Sequence, residues 1–151
     1  MTDEIRYGKL TQDQLDTFLS RPILARLATA VPSKEDPRLF QPHNTPVWFL
    51  WDGISLCISA FTSTRKVKEV RQNAYIAVLV DVEKAIDGVR AVLMEGQCEW
   101  ILEPGIVQEM SRRIYTLYLG EDGVQAEDPQ SWIVDPENSI IKLTPSRIYT
   151  W

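Results

Sequence analysis

The sequence has 151 residues, 44% hydrophobic and 25% charged, a composition typical of one globular domain. Its formal net charge of −5 argues against nucleic-acid binding, which favours a basic face. No apolar run reaches the roughly 18 residues of a membrane span, and the first ten residues lack a signal peptide's pattern, so we expect a cytoplasmic protein without a membrane partner.

The first part of the chain predicts a helix and three strands. Thr11 and Gln14 fit a helix capping box, and this helix should end before Pro22. Residues 32–42 contain three prolines and several charges, so we expect a loop there. Asp52-Gly53 is a turn signal and predicts a hairpin between the second and third strands. The strands, rich in β-branched and aromatic residues, are 24–30, 45–51 and 54–60.

The rest of the chain predicts three more strands and three helices. Residues 75–82 have almost no polar interruption, so we expect both faces of this strand to be buried. Asp87-Gly88 predicts a turn, Gly120 should end a helix, and Pro145 should break or bend the last strand. The strands are 75–82, 89–102 and 139–151, and the helices are 64–72, 104–119 and a short segment near 129–132.

Consecutive short strands with tight turns favour an antiparallel barrel over a parallel α/β sheet. No repeat, low-complexity tract or long linker divides the chain. We therefore predict a single domain, residues 1–151, that is mainly β, with about six antiparallel strands and flanking helices.

Residues 62–66, Thr-Ser-Thr-Arg-Lys, lie where a strand ends and a helix begins. Unpaired N–H groups and the helix dipole make such a junction favourable for an anion. Ser63 and Thr64 add hydroxyl donors, and Arg65 and Lys66 add positive charge, which together suit a phosphate monoester. The alternative is that a hydroxyl residue only caps the helix, and that the cations form a solvated face.

The series ARLAT, TPVWFLWDG, TSTRK and AYIAVLVD resembles the pyridoxamine 5′-phosphate oxidase-like family of flavin-binding split barrels, over roughly residues 10–100. A weaker resemblance continues in the final segment, IIKLTPSRIYTW. The most specific stretch is the Thr-Arg-Lys that opens the helix. The resemblance implies a six-stranded antiparallel split β-barrel that binds FMN and works as a homodimer, with cofactor sites shared across the interface.

The resemblance also implies which residues would hold FMN. The phosphate would be bound by Thr64, Arg65 and Lys66, with Ser63 beside them. The isoalloxazine edge would run along Asn44, Thr45, Pro46, Val47, Trp48 and Phe49. The ribityl chain or phosphate would lie beside Ser59 and Ala60. The other subunit would contribute Arg90, Ala91 and Val92.

Two departures from the family pattern change the expected activity. Asn44 and Phe49 stand where the true oxidases carry an Arg that helps to hold the cofactor and a Lys that meets the flavin ring. The chain also ends at Trp151, with only Arg147 nearby, without the oxidase's full C-terminal substrate segment. We therefore expect a smaller relative that does not oxidise pyridoxamine phosphate.

The resulting hypothesis is an FMN-binding oxidoreductase that passes two electrons between a reduced nicotinamide and a small organic acceptor or oxygen. No side chain is an obvious proton donor, so catalytic residues are unassigned. Two alternatives stay open. A deazaflavin-dependent reductase would use extra cations for the coenzyme's acidic tail, which Lys34, Arg38 and Lys68 would supply. A flavin- or haem-binding carrier or sensor without turnover would agree with the missing Arg and Lys.

A few other residues carry weaker signals. His43, the only histidine, is either an acid/base or haem ligand or a loop-edge residue without function. Tyr115, Tyr118 and Trp132 either line a substrate pocket or pack the helices. The two cysteines, in no CxxC or Cys/His cluster, predict neither a metal site nor a disulfide framework.

Overall fold

A computed structural model describes residues 6–151, so the first five residues of the predicted domain 1–151 lie outside the described residues. The described helices are α1 (Gln12–Leu19), α2 (Arg65–Gln72), α3 (Pro104–Gly123) and α4 (Glu127–Val134). The described strands are β1 (Arg6–Tyr7), β2 (Ala25–Pro32), β3 (Phe40–Val47), β4 (Leu50–Trp51), β5 (Leu56–Phe61), β6 (Tyr75–Ile86), β7 (Val89–Ile101), β8 (Asn138–Leu143) and β9 (Arg147–Thr150).

These strands form one curved sheet in the order β3-β2-β6-β7-β8-β5-β4, with β9 beside β7 and β1 beside β9. The pairings are antiparallel, apart from the parallel pair β1–β9. Although β3 and β4 stand at opposite ends of this order, only Trp48 and Phe49 separate them in the chain. The sheet therefore curls without closing, and the predicted mainly β split barrel with flanking helices is confirmed.

The prediction of one continuous strand over residues 45–51 is wrong. Its first part belongs to β3, which starts at Phe40 and pairs with β2, whereas β4 pairs with β5 across the predicted turn. The chain has to bend at Trp48 because β2 and β5 are far apart in the sheet order. The predicted loop 32–42 is shorter in the structure and spans residues 33–39. Pro32 belongs to β2 and residues 40–42 belong to β3, and these two strands pair as a hairpin.

Within a single chain, only one face of β6 is buried, whereas the sequence predicted burial of both faces. Ile76, Val78 and Val80 are at most 5% exposed, whereas Tyr75 is 65% exposed. Only one face of this antiparallel strand covers the core, as is common for such sheets. The lack of polar residues in its sequence therefore reflects an apolar outer face as well as a buried inner one.

The local helix signals are confirmed. Thr11 Oγ1 accepts a hydrogen bond from the Gln14 N–H, and the Gln14 side chain accepts one from the Thr11 N–H, so the predicted capping box is formed. Gly120 has φ of +81° and interrupts α3, a conformation that glycine adopts without the steric cost of a side chain. As predicted, Pro145 lies between β8 and β9.

Two apolar clusters hold the elements together. The larger fills the barrel and includes Leu27, Phe49, Ile58 and Met94, all fully buried. The smaller packs α3 and α4 against the sheet around Ile114. Each such side chain contributes about 1.5–3 kcal/mol through its burial. Within the described range, no helix combines the length and apolar character needed to cross a membrane.

Candidate functional site

The start of α2 has no capping side chain. Thr64 occupies the N-cap position, but its hydroxyl donates to the Phe61 carbonyl oxygen at 2.7 Å and accepts nothing from the helix. The N–H groups of a first helical turn have no partner inside the helix and carry partial positive charge. Capping by Thr64 is therefore not what the structure shows, and the helix end stays open to an anion.

Lys66 lies in a cleft between the sheet and α3. A cavity of about 340 Å³ is lined by Pro46, Val47 and Trp48 on one side. A smaller cavity of about 120 Å³ reaches Ala60, Thr64 and Asn138. Both cavities share Ser59, Lys66 and Tyr115, and we call them together the Lys66 cleft.

The Lys66 ammonium is half-buried, and no carboxylate of residues 6–151 forms an ion pair with it. Burial lowers the pKa of Lys66, because desolvation disfavours the charged form. An anionic group in the cleft would offset this cost, so the site suits an anionic ligand.

The Arg65 side chain does not line the Lys66 cleft. Its Nε donates to Glu69 Oε1 at 2.6 Å, and its side chain lines a separate groove of about 600 Å³ that also contains Lys34 and Lys68. The structure thus places the two cations of the predicted phosphate site, Arg65 and Lys66, beside different cavities.

Glu69 is the centre of a buried polar cluster that the sequence analysis missed. Its carboxylate, on a residue only 5% exposed, accepts hydrogen bonds from Arg65 and from Thr29 Oγ1, and His43 Nδ1 lies 3.3 Å from it. Burial raises the pKa of Glu69, but the hydrogen bonds and positive charge around it outweigh burial and hold the pKa below its usual value. The sequence signal for this ion pair was the i,i+4 spacing of Arg65 and Glu69 in the predicted helix, which places the two side chains next to each other.

The other predicted cofactor residues are divided between the cleft and its surroundings. Ser59 and Ala60 line the cleft, as do three of the isoalloxazine-edge residues, Pro46, Val47 and Trp48. Asn44 and Ser63 are exposed, Thr45 is half-buried on β3, and Phe49 is fully buried. None of these four residues lines the cleft.

Arg90, Ala91 and Val92 lie at the start of β7. The N–H groups of Arg90 and Ala91 donate to the Trp151 carbonyl oxygen, and none of the three residues lines the Lys66 cleft of its own chain.

Aromatic side chains form the wall of the cleft next to α3. Trp48 stacks on Tyr118 with ring centres 4.9 Å apart and meets Tyr115 edge-on. Tyr115 meets Trp132 in the same way. Of the three aromatic residues predicted either to line a pocket or to pack helices, Tyr115 does both.

Four polar side chains meet at this wall, and three of them, Ser59, Tyr115 and Asn138, line the cleft. Ser59 Oγ lies within hydrogen-bond distance of Tyr115 Oη, Asn138 Oδ1 and Ser111 Oγ. Ser111 and Asn138 are 0% and 4% exposed. Sequence analysis missed both, although a serine on the apolar side of a helix is a signal of a buried polar contact. No group of three or more His, Cys, Asp or Glu side chains within residues 6–151 is arranged to hold a metal ion.

Several solved structures share this fold. The conserved hypothetical protein Rv2991 from Mycobacterium tuberculosis aligns with a TM-score of 0.75 and 18% identity, covering 95% of this chain and 85% of that one. An F420 reductase aligns with a TM-score of 0.67 and 23% identity, covering 88% and 94%. An FAD-binding protein from Mesorhizobium loti aligns with a TM-score of 0.59 and 15% identity, covering 92% of both chains.

No curated protein matches the chain significantly. The family described as pyridoxamine 5′-phosphate oxidase matches residues 11–151, which is nearly the whole sequence and includes every residue of the Lys66 cleft. The chain therefore belongs to the pyridoxamine 5′-phosphate oxidase family.

Proposed function

We propose that the protein binds FMN and is an oxidoreductase that passes two electrons between a reduced nicotinamide and a small organic acceptor or oxygen. The observation that carries the proposal is the position of Lys66. Its ammonium is half-buried in a cleft with apolar walls, next to a helix end that no side chain caps. Such a cation stabilises a bound phosphate through charge-assisted hydrogen bonds.

The residues of the cleft fit the two parts of FMN. Lys66 and the first-turn N–H groups of α2 would hold the phosphate. Pro46, Val47 and Trp48 would contact the apolar ring system. A bound flavin supplies two-electron chemistry, while the chain supplies binding, orientation and exclusion of water. Since the ionised Glu69 carboxylate pairs with Arg65 and offsets its charge, that guanidinium would contribute less to phosphate binding than Lys66.

We also propose that the protein is a homodimer. The outer face of β2, β6 and β7 forms a hollow of about 650 Å³ lined by small residues, among them Ala28, Ala77 and Gly96. Tyr75, 65% exposed, lies at this hollow. A hollow of mainly small side chains, with one exposed aromatic and the charged Glu95 and Arg147 beside it, suits a second copy of the chain. Arg90 is exposed and Ala91 half-buried, and neither lines the cleft of its own chain, which agrees with a role in the partner's site. The Val92 side chain is fully buried in the core of its own chain, so it would not reach that site.

The first test is an absorbance titration of the purified protein with FMN, followed by removal of unbound cofactor. We expect bound flavin in the wild type and a roughly 10- to 100-fold weaker affinity in Lys66→Ala, since a hydrogen bond to a charged group contributes about 1.5–3 kcal/mol. Lys68→Ala is the matched control, because Lys68 lies on the same helix but faces the other groove. Absence of FMN binding by the wild type contradicts the proposal.

The second test separates an enzyme from a carrier. The flavin-loaded protein is mixed with a reduced nicotinamide under anaerobic conditions, and the loss of oxidised-flavin absorbance is followed. We expect reduction of the flavin. Bound flavin that the nicotinamide does not reduce would instead support a non-catalytic carrier or sensor.

The proposed dimer is tested separately by light scattering, where the Tyr75→Glu variant should have the mass of one chain.

One observation favours the deazaflavin coenzyme as a second candidate. Lys34 and Lys68 share the groove beside Arg65, where they would meet an acidic tail, whereas Arg38 is engaged by Asp36 in two contacts of 2.9 Å. If this coenzyme is the ligand, Lys34→Ala and Lys68→Ala should weaken its binding and leave FMN binding unchanged. Tighter binding of FMN than of the deazaflavin in the same titration would exclude it.

A further inference from the structure

Three side chains form a closed ring of hydrogen bonds at the edge of the Lys66 cleft, and two of them, Ser59 and Asn138, line it. Ser59 Oγ donates to Asn138 Oδ1 at 2.9 Å, Asn138 Nδ2 donates to Ser111 Oγ at 2.9 Å, and Ser111 Oγ donates to Ser59 Oγ at 3.1 Å. Tyr115 Oη lies outside the ring, 2.8 Å from Ser59 Oγ. The ring joins β5, α3 and β8, so its members are held by three separate elements.

The ring fixes the direction of the hydrogen bond between Tyr115 and Ser59. A serine hydroxyl has one proton and two lone pairs. The ring uses the proton and one lone pair of Ser59, so only a lone pair remains for Tyr115, which must be the donor. Reversing the ring by turning over the Asn138 amide gives the same result, because Ser59 then donates to Ser111 and accepts from Asn138.

Two consequences follow for the cleft. Ser59 has no hydrogen-bonding capacity left for a ligand, since its proton and both lone pairs are used. The O–H of Tyr115 is used in the hydrogen bond that it donates to Ser59, so only the lone pairs of its oxygen remain for a ligand. Burial raises the pKa of Tyr115, so the phenol keeps its proton at neutral pH and remains a donor to Ser59.

We infer that Tyr115 is a specificity-determining residue that accepts a hydrogen bond from a hydroxyl group of the ligand, next to the anionic group held by Lys66. Tyr115 and Lys66 line the same two cavities, so one ligand meets both. The inference rests on the proposed function and refines it: the cleft takes a hydroxylated phosphate, such as the ribityl phosphate of FMN, in preference to an unsubstituted alkyl phosphate. Ser59 acts through Tyr115 as a positioning residue.

The test compares two flavins that have the same ring and phosphate. One is FMN, and the other carries a phosphopentyl chain without hydroxyl groups. Tyr115→Phe should weaken FMN binding about 3- to 10-fold, as expected for one neutral hydrogen bond, and leave binding of the analogue unchanged. Tyr118→Phe is the matched control, because it removes the same atom from a tyrosine whose hydroxyl is bonded to Ile23 and Phe49. It should not change the ratio of the two affinities.

The donor state of Tyr115 is measured independently of any ligand. Ultraviolet resonance Raman difference spectra between wild type and Tyr115→Phe should show a hydrogen-bond-donating tyrosine, and the same difference in a Ser59→Ala background should not. If the wild type binds neither FMN nor the deazaflavin coenzyme, the proposed function and this inference both fail. If it binds FMN but Tyr115→Phe affects both flavins equally, or the Raman signature is that of an acceptor, only this inference is overturned.

Discussion

Arg65 and Lys66 follow each other in the chain, yet they line two different cavities. Successive residues of an α-helix point in directions roughly 100° apart, so a pair of adjacent cations at the start of a helix does not have to converge on one ligand. Here the ion pair with Glu69 holds the Arg65 guanidinium on the side of α2 that faces the other groove. The two cations therefore have separable effects, which the following variants distinguish.

Arg65→Ala should destabilise the protein by about 1–3 kcal/mol, because it leaves the buried Glu69 carboxylate without its cationic hydrogen-bond partner. Urea unfolding followed by circular dichroism measures the change. Lys68→Ala, an exposed cation on the same helix, should change the free energy of unfolding by less than about 0.5 kcal/mol. Equal stabilities of the two variants would contradict the role given to Glu69.

The pH dependence of the free energy of unfolding should reveal the ionisation of the Glu69 carboxyl group. Because its pKa in the folded protein is held below the ordinary value of 4.5, the ionised carboxylate stabilises the fold above that value, and this contribution disappears as the pH falls through the lower folded-state pKa. The difference in unfolding free energy between wild type and Glu69→Gln should shrink over that range. A difference that is constant with pH would show that ionisation of Glu69 contributes nothing.

Introducing the Arg and the Lys of the true oxidases at positions 44 and 49 should change the stability of the fold by very different amounts. Asn44 is exposed on the edge strand β3, so Asn44→Arg should change stability by no more than about 0.5 kcal/mol. Phe49 is fully buried, and Phe49→Lys would put an unpaired charge in the barrel, costing more than about 4 kcal/mol. Thermal unfolding of both variants is the measurement, and a well-folded Phe49→Lys protein would contradict the buried position of this side chain.

Both cysteines should react slowly with alkylating reagents in the native protein. Burial is the main reason that the pKa values of Cys57 and Cys98 rise to about 11, and the thiolate is the reactive form. Mass spectrometry after brief alkylation at neutral pH should show little modification, whereas the same treatment in denaturant should modify both residues. Rapid labelling of the native protein at either residue would contradict this prediction.

Sequence reasoning succeeded where the signal is local. The Thr11–Gln14 capping box and the Asp52-Gly53 turn depend on residues within one turn, so their chemistry is readable in the chain. The division between β3 and β4 was missed because it depends on which strands pair across the sheet. The ring of Ser59, Ser111 and Asn138 was missed for the same reason, since its members are brought together only by the tertiary fold.

The unpaired ends of the sheet determine what holds one wall of the cleft in place. Pro46, Val47 and Trp48 line one wall of the cleft and lie where β3 gives way to β4. No ladder between β3 and β4 bridges this seam in the described sheet; the covalent chain and packed side chains do. Tyr118 of α3 bridges the seam as well, because its hydroxyl accepts a hydrogen bond from the Phe49 N–H and donates one to the Ile23 carbonyl oxygen. Loss of this one hydroxyl would therefore loosen a wall of the cleft that no strand ladder secures.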